Sequence, residues 1–127
     1  MLVGFEKITE DLTPFEEREA LPIILAGLRT KLGKSKAISA TEICSKVNAT
    51  GRLGKYKLTP VKLRKMISHI RLYDLISGVL SSSKGYYLAL TLSEYDECLE
   101  SLRQRLRQQQ LVVDSLQAQR DYERREL

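Results

Sequence analysis

The feature that most restricts the fold of this chain is a change of hydrophobic period near residue 76. Before it, apolar side chains recur every three or four residues, which indicates an amphipathic helix. Thr59 suits the N-cap of that helix, and Pro60 suits its first position. After residue 76, two short apolar runs flank a Ser/Lys/Gly segment, which is typical of a β-hairpin. We therefore predict a helix over residues 60–74 that leads directly into a hairpin within residues 77–90.

The side chains of the helix and the hairpin indicate which face of the helix is buried and where the strands lie. Four residues form the apolar stripe of the helix: Leu63, Met66, Ile67 and Ile70. The pattern places Lys62, Lys65 and His69 on the opposite side. The hairpin is predicted to have strands at residues 79–80 and 86–90 and a five-residue tip at residues 81–85.

A first helix is predicted to begin at Thr13, after an apolar arm at residues 1–12. Thr13 and Glu16 have the Ser/Thr-x-x-Glu spacing of a capping box. Gly33 is expected to end the helix. Pro22 lies inside it and removes a backbone hydrogen bond, so we expect a kink or a break there. The apolar stripe of this helix is predicted to consist of Leu21, Ile24, Leu25, Leu28 and Leu32.

A second, shorter helix is predicted after Ser39. Ser39 and Glu42 repeat the capping-box spacing, and Gly51 is placed to stop the helix. Ala37 and Ile38 precede it and suit a brief strand, which could add a third strand to the hairpin. A basic turn, residues 51–58, then connects this helix to the helix over residues 60–74.

Residues 91–127 are predicted to form one long helix that follows a domain of residues 1–90. Thr91 and Glu94 form a third capping box, and no Gly or Pro follows them. A helix of this length extends for about 50 Å. Its apolar residues alternate three and four apart, as in the heptads of a coiled coil. The series is Leu92, Tyr95, Leu99, Leu102, Leu106, Gln109, Val113 and Leu116, with Gln109 as its polar interruption.

This heptad series predicts that the helix pairs with a second copy and makes the protein a homodimer. A surface helix of a monomer has no need to keep such spacing for so long. The alternative is that the helix folds back on the apolar surface of the first helix, within one chain or exchanged between two.

The positive charge of the chain is concentrated in residues 34–90. The formal net charge is +5, but residues 34–90 hold eleven Lys/Arg and two Asp/Glu, which gives +9. Residues 1–33 hold four basic and six acidic side chains, and residues 91–127 hold six and eight, so each flank carries −2. Such a distribution predicts binding to a polyanion. The alternative is a solvated basic face that serves solubility.

In the order of its elements, its three capping boxes, its basic helix and its Ser/Lys/Gly tip, the chain resembles the winged helix-turn-helix DNA-binding superfamily over residues 13–90. The resemblance implies a mainly α fold with a small β-hairpin, the winged helix domain being followed by the long C-terminal helix. It also implies a double-stranded DNA partner, with helix 60–74 in the major groove and the hairpin, or wing, on the backbone. Small bacterial, phage or mobile-element regulators are of this type. Eight residues are then predicted to contact DNA: Lys55, Lys57, Thr59, Lys62, Arg64, Lys65, His69 and Lys84.

The sequence supports other functions less strongly than DNA binding. A winged domain can also serve as a protein-docking module that assembles through its C-terminal helix, and that alternative stays open. No enzyme, cofactor, metal or small-molecule site is expected, because the chain has one His and lacks a phosphate loop. Cys44 and Cys98 have no ligand spacing and are expected to be buried. No apolar run approaches the roughly 20 residues that span a membrane, and we expect a cytoplasmic protein.

Overall fold

A computed structural model describes the backbone of residues 11–126 and the side chains of residues 11–123. The protein is mainly helical, with a two-stranded antiparallel hairpin and a long C-terminal helix. Most of the predicted arm at residues 1–12 lies outside the described residues. The chain divides into two compact units, Met1–Tyr95 and Asp96–Leu127. Its helices and strands are α1 (Leu21–Leu28), α2 (Ala40–Ala49), α3 (Pro60–Leu72), β1 (Val79–Ser82), β2 (Gly85–Leu88) and α4 (Leu92–Glu126).

The start of the first helical segment confirms the predicted capping box. The Glu16 N–H donates to Thr13 Oγ1 at 3.1 Å, and the Thr13 N–H donates to Glu16 Oε1 at 2.9 Å. Pro22 does not break the segment. A π-helical turn, Glu16–Ala20, precedes it, and the Leu21 N–H donates to the Glu16 carbonyl five residues back. This wider spacing accommodates the missing N–H of Pro22 without ending the helix.

The end of α1 lies earlier than the sequence predicts. The helix stops at Leu28, and Leu32, expected in its buried stripe, is 48% exposed. The reason is that the next residues bond to the hairpin. The Leu88 N–H donates to the Lys31 carbonyl at 2.7 Å, and the Gly33 N–H donates to the Leu88 carbonyl at 2.7 Å. Gly33 therefore turns the chain toward the hairpin and does not cap α1.

The predicted caps of α2 and α3 are present. Ser39 Oγ accepts from the Glu42 N–H at 3.1 Å, although the Glu42 carboxylate lies 3.4 Å from the Lys46 ammonium and does not complete the capping box. Thr59 Oγ1 accepts from the Lys62 N–H at 3.3 Å at the start of α3. All four predicted apolar residues of α3 are buried: Leu63, Met66, Ile67 and Ile70.

The hairpin is tighter than predicted. Ser82 pairs with Gly85, so the tip consists of Ser83 and Lys84 alone, and Ser81 and Ser82 belong to β1. The suggested third strand is a single bridge, in which the Ile38 N–H donates to the Tyr86 carbonyl at 2.9 Å and the Tyr86 N–H donates back at 2.8 Å. This bridge fixes the hairpin to the residues that precede α2.

The third capping box also forms. The Glu94 N–H donates to Thr91 Oγ1 at 3.2 Å, and the Thr91 N–H donates to Glu94 Oε1 at 3.3 Å. The second carboxylate oxygen of Glu94 accepts from the Lys34 N–H at 2.9 Å, which ties the start of α4 to the segment after α1. These backbone hydrogen bonds, that of Lys34 first, lower the pKa of Glu94.

Gly85, at the start of β2, is expected to tolerate substitution poorly. Its φ is +125°, and a Cβ added there would overlap the Ile38 carbonyl. Gly85→Ala should therefore lower the free energy of unfolding by about 2–4 kcal/mol in urea denaturation. Gly54→Ala is the matched control, because Gly54 has a φ of +58° with open space around the added Cβ, and it should cost about 1 kcal/mol. Equal losses for the two variants would contradict this prediction.

Candidate nucleic-acid interface

Helix α3 presents a different face to solvent from the one predicted. Lys62, Lys65 and His69, expected to point outward, are only partly exposed. The exposed residues of the helix beyond Pro60 are Val61, Arg64 and Ser68, and Val61 is 69% exposed. The apolar stripe identifies the buried side of a helix. It does not show that a neighbouring segment also covers the flank, and here the N-terminal helical segment does so.

The contact that covers this flank is a buried carboxylate. Glu16 is 2% exposed, and its Oε1 lies 2.9 Å from the ammonium of Lys65. Its Oε2 accepts a hydrogen bond of 2.6 Å from the Tyr56 hydroxyl. One carboxylate therefore joins the start of the first helical segment, the turn before α3 and α3 itself. We call Glu16, Tyr56 and Lys65 the Glu16 network.

The protonation state of the Glu16 network follows from its hydrogen bonds. Burial by itself raises the pKa of Glu16, but the bonds from Tyr56, the Thr13 N–H and Lys65 outweigh it and lower the pKa to about 2. Burial, together with donation to Glu16, raises the pKa of Tyr56. At neutral pH, a charged carboxylate therefore accepts from a protonated hydroxyl, and Lys65 is its counter-ion.

Lys62 also has partners within the chain. Its ammonium donates to the Lys57 carbonyl at 3.0 Å and lies 4.5 Å from the centroid of the Tyr56 ring. The Phe15 ring lies 5.3 Å from Tyr56 on a tilted plane. Lys62 thus holds the basic turn against the first turn of α3, and its charge stays close to the backbone of Lys57.

The remaining predicted contacts divide into two groups. His69 stacks on Tyr73 at 4.4 Å and lines a crevice with two acidic residues, Asp11 and Glu17. The Thr59 hydroxyl is occupied by the N-cap of α3. In contrast, four predicted residues are exposed and have no acidic partner within residues 11–123: Lys55, Lys57, Arg64 and Lys84. Arg52 lies in the same turn as Lys55 and Lys57 and is also exposed, although it was not among the predicted DNA contacts.

Hydrogen bonds hold each of the segments that carry these exposed cations: the Lys62 bond to Lys57 joins the turn to α3, and two further links join α3 to β1 and the turn to α2. Arg71 Nε donates to the Val79 carbonyl at 2.8 Å, and an Arg71 terminal nitrogen donates to Ser81 Oγ at 3.4 Å, so α3 is bound to β1. Asn48 Nδ2 donates to the Leu58 carbonyl at 3.0 Å and its Oδ1 accepts from the Leu58 N–H at 2.9 Å, so α2 is bound to the end of the basic turn. The sequence does not reveal either link, because an isolated Asn or Arg has no pattern that names its partner.

The predicted seam of α4 is exposed along its central part. Leu106 is 69% exposed, Val113 57% and Leu116 58%. Leu111 and Val112 are exposed as well, although the heptad pattern does not include them. Polar side chains support the helix along its length, with Glu100 Oε1 accepting from Arg107 at 3.1 Å and Asp114 Oδ1 accepting from Gln110 at 2.9 Å.

Metal-binding clusters and membrane-spanning helices are absent from the described part of the chain. Among residues 11–123, no three His, Cys, Asp or Glu side chains form a group that could hold a metal ion. No described helix has both the length and the apolar character needed to cross a membrane. Both cysteines, Cys44 and Cys98, are buried free thiols, as expected.

Comparisons of the chain with models of protein families, with curated proteins and with solved structures returned no match. Its function therefore has to be inferred from its own residues.

Proposed function

We propose that this protein binds double-stranded DNA, without catalysing a reaction, in the manner of a winged helix-turn-helix regulator. The observation that carries the proposal is a set of exposed cations without acidic partners in residues 11–123, on three segments that hydrogen bonds hold together. These cations are Arg52, Lys55, Lys57, Arg64 and Lys84. Charge of this kind supplies most of the non-specific affinity of a protein for DNA.

Within this proposal, the exposed face of α3 enters the major groove. Arg64 can donate two hydrogen bonds to the O6 and N7 acceptors of guanine, and Val61 offers an apolar surface to a thymine methyl group. Lys55, Lys57 and Lys84 bind phosphates and set the position of α3. Lys62 and Lys65, predicted as direct contacts, are assigned here to holding α3 and the turn in place, because their ammonium groups have partners within the chain.

We also propose that α4 pairs with α4 of a second copy. The exposed residues Leu106, Val113 and Leu116 keep the heptad spacing, and burying them removes apolar surface from water. Gln109 can pair with its symmetry mate and fix the register. A symmetric dimer brings two α3 helices to two half-sites of a palindromic sequence.

The proposal predicts a strong dependence of DNA affinity on salt. If each domain neutralises about four to six phosphates, log K should fall with log salt concentration at a slope of about −4 to −5. Fluorescence anisotropy of a labelled duplex across a salt series measures this slope. A flat response, or no binding at low salt, would reject DNA binding, and a stable dimer without DNA affinity would favour the protein-docking alternative.

Three variants distinguish sequence-specific contacts from non-specific DNA binding. They are tested on a DNA site selected from random duplexes. Arg64→Ala should cost about 1–3 kcal/mol at that site and less elsewhere, and Lys84→Ala should weaken all sequences alike. Lys46→Ala is the control, because Lys46 is exposed on α2 and already paired with Glu42. If Arg64→Ala behaves like Lys46→Ala, α3 does not read the base sequence. Lys65→Ala is a poor test, because it leaves the buried Glu16 carboxylate without its counter-ion.

A further inference from the structure

An open crevice of about 190 Å³ lies between α1 and α2, and no residue of α3 lines it. Its lining is mainly aliphatic and includes core residues that reach the surface there, namely Ile24, Leu28, Ile43 and Val47. A volume of about 150 Å³ lined by such side chains is enough to hold a benzene molecule. The crevice therefore has the size of a single ring with a short alkyl group.

The charged residues that line the crevice are both cationic. Lys31 and Lys46 belong to its lining, and no acidic side chain does. Lys46 lies 3.4 Å from Glu42, but both side chains of this pair are more than half exposed, so the pair holds Lys46 only weakly. An apolar crevice with two lysines in its lining complements a ligand that has an apolar body and a negative end.

We infer that this crevice binds a small amphipathic carboxylate, with its ring or short alkyl body against the aliphatic floor and its carboxylate between Lys31 and Lys46. The sequence predicted no small-molecule site, because the aliphatic lining of this one consists largely of ordinary core positions. The inference goes beyond the proposed DNA binding and does not depend on it, because none of the exposed cations assigned to DNA lines the crevice.

Gly27 offers a direct way to close the crevice. It lies in α1, lines the crevice and has no atom within 4 Å of an added Cβ. A leucine there fills the space that the ligand needs. Inside a helix a residue with a side chain is also favoured over glycine, so Gly27→Leu is expected to fold at least as well as the parent protein.

The experiment titrates the full-length protein with para-ethylbenzoate, followed by amide chemical shifts in NMR. The neutral para-ethylbenzyl alcohol and the cationic para-ethylbenzylamine are the comparison probes. We expect shifts centred on Gly27, Lys31 and Lys46, with the carboxylate binding about fivefold more tightly than the alcohol and the amine most weakly. No shift at these residues at about 10 mM carboxylate, or equal affinity of all three probes, overturns the inference.

Three variants complete the test. Gly27→Leu should weaken carboxylate binding at least about tenfold, and Gly27→Ala, which leaves most of the crevice open, should change it by less than about twofold. The double variant Lys31→Met and Lys46→Met should reduce the affinity for the carboxylate to that for the alcohol and leave the alcohol unchanged. If Gly27→Leu is folded and binds the carboxylate as tightly as the parent, the ligand does not occupy this crevice.

Discussion

Replacement of Glu16 by alanine is expected to lower the free energy of unfolding by about 3–5 kcal/mol. The reason lies in the partners that remain. Lys65, whose side chain is 21% exposed, loses its counter-ion, and the Tyr56 hydroxyl loses its acceptor. One of the two capping-box hydrogen bonds, from the Thr13 N–H to Glu16 Oε1, is lost as well. Urea denaturation followed by far-ultraviolet circular dichroism measures the change.

Glu19→Ala is the matched control for this prediction. Glu19 lies in the same π-helical turn and is exposed, and within residues 11–123 its carboxylate pairs with its neighbour Arg18 alone, at 3.3 Å. Its removal should therefore change stability by less than about 0.5 kcal/mol. A double-mutant cycle with Lys65→Ala should give a combined loss smaller than the sum, because each change alone leaves the other charge without its counter-ion. If Glu16→Ala costs no more than Glu19→Ala, the Glu16 network does not hold the fold together.

The Glu16 network also predicts how stability depends on pH. In the folded protein the pKa of Glu16 is about 2, below its ordinary value of 4.5. A lowered pKa means that the carboxylate stabilises the fold fully above about pH 5 and that this contribution is lost as the pH falls toward 2. The difference corresponds to about 3 kcal/mol. Glu16→Gln should therefore lose less stability between pH 5 and pH 2 than the parent; parallel pH profiles would contradict the assignment.

The parts of the fold that the sequence predicted are those determined by local chemistry. The Thr13–Glu16 and Thr91–Glu94 capping boxes need only residues three apart, and both form. The apolar stripe of α3 is likewise read from its period. The end of α1 was predicted wrongly because bonds from Leu88 to Lys31 and Gly33, distant in sequence, take those residues away from the helix. The hairpin tip was predicted too long because backbone pairing draws the polar Ser81 and Ser82 into β1.

The candidate interface was predicted less well for a related reason. Lys62 and Lys65 are residue types that commonly contact DNA. Nothing in their spacing reveals that Tyr56 lies beside Lys62 and Glu16 beside Lys65. Glu16 already had a role in the sequence, as the partner of Thr13 in a capping box, so its second role left no signal. In a small domain, the docking of one helix decides which lysines stay free, and helical periodicity does not contain that information.

The last prediction concerns the α4 seam. The double variant Leu106→Asp and Val113→Asp is expected to convert a dimer into a monomer, because it places charges where two helices would bury apolar side chains. Both residues are more than half exposed in the single chain, so the variant should keep its fold. Sedimentation equilibrium measures the oligomeric state. DNA affinity should also fall about 100-fold or more, because each monomer then binds a single half-site.

Leu111→Asp is the control that makes this test specific to the seam. Leu111 is 67% exposed, about as much as Leu106, and lies in the same helix, but it is not part of the heptad series. A dimeric parent, a monomeric seam variant and a dimeric Leu111→Asp variant together identify the pairing face, because charge on α4 then disrupts the dimer only when it lies on the heptad series. A parent that is monomeric at tens of micromolar would favour the fold-back alternative for α4. Equal disruption by Leu111→Asp would mean that the helix pairs through a face other than the heptad series.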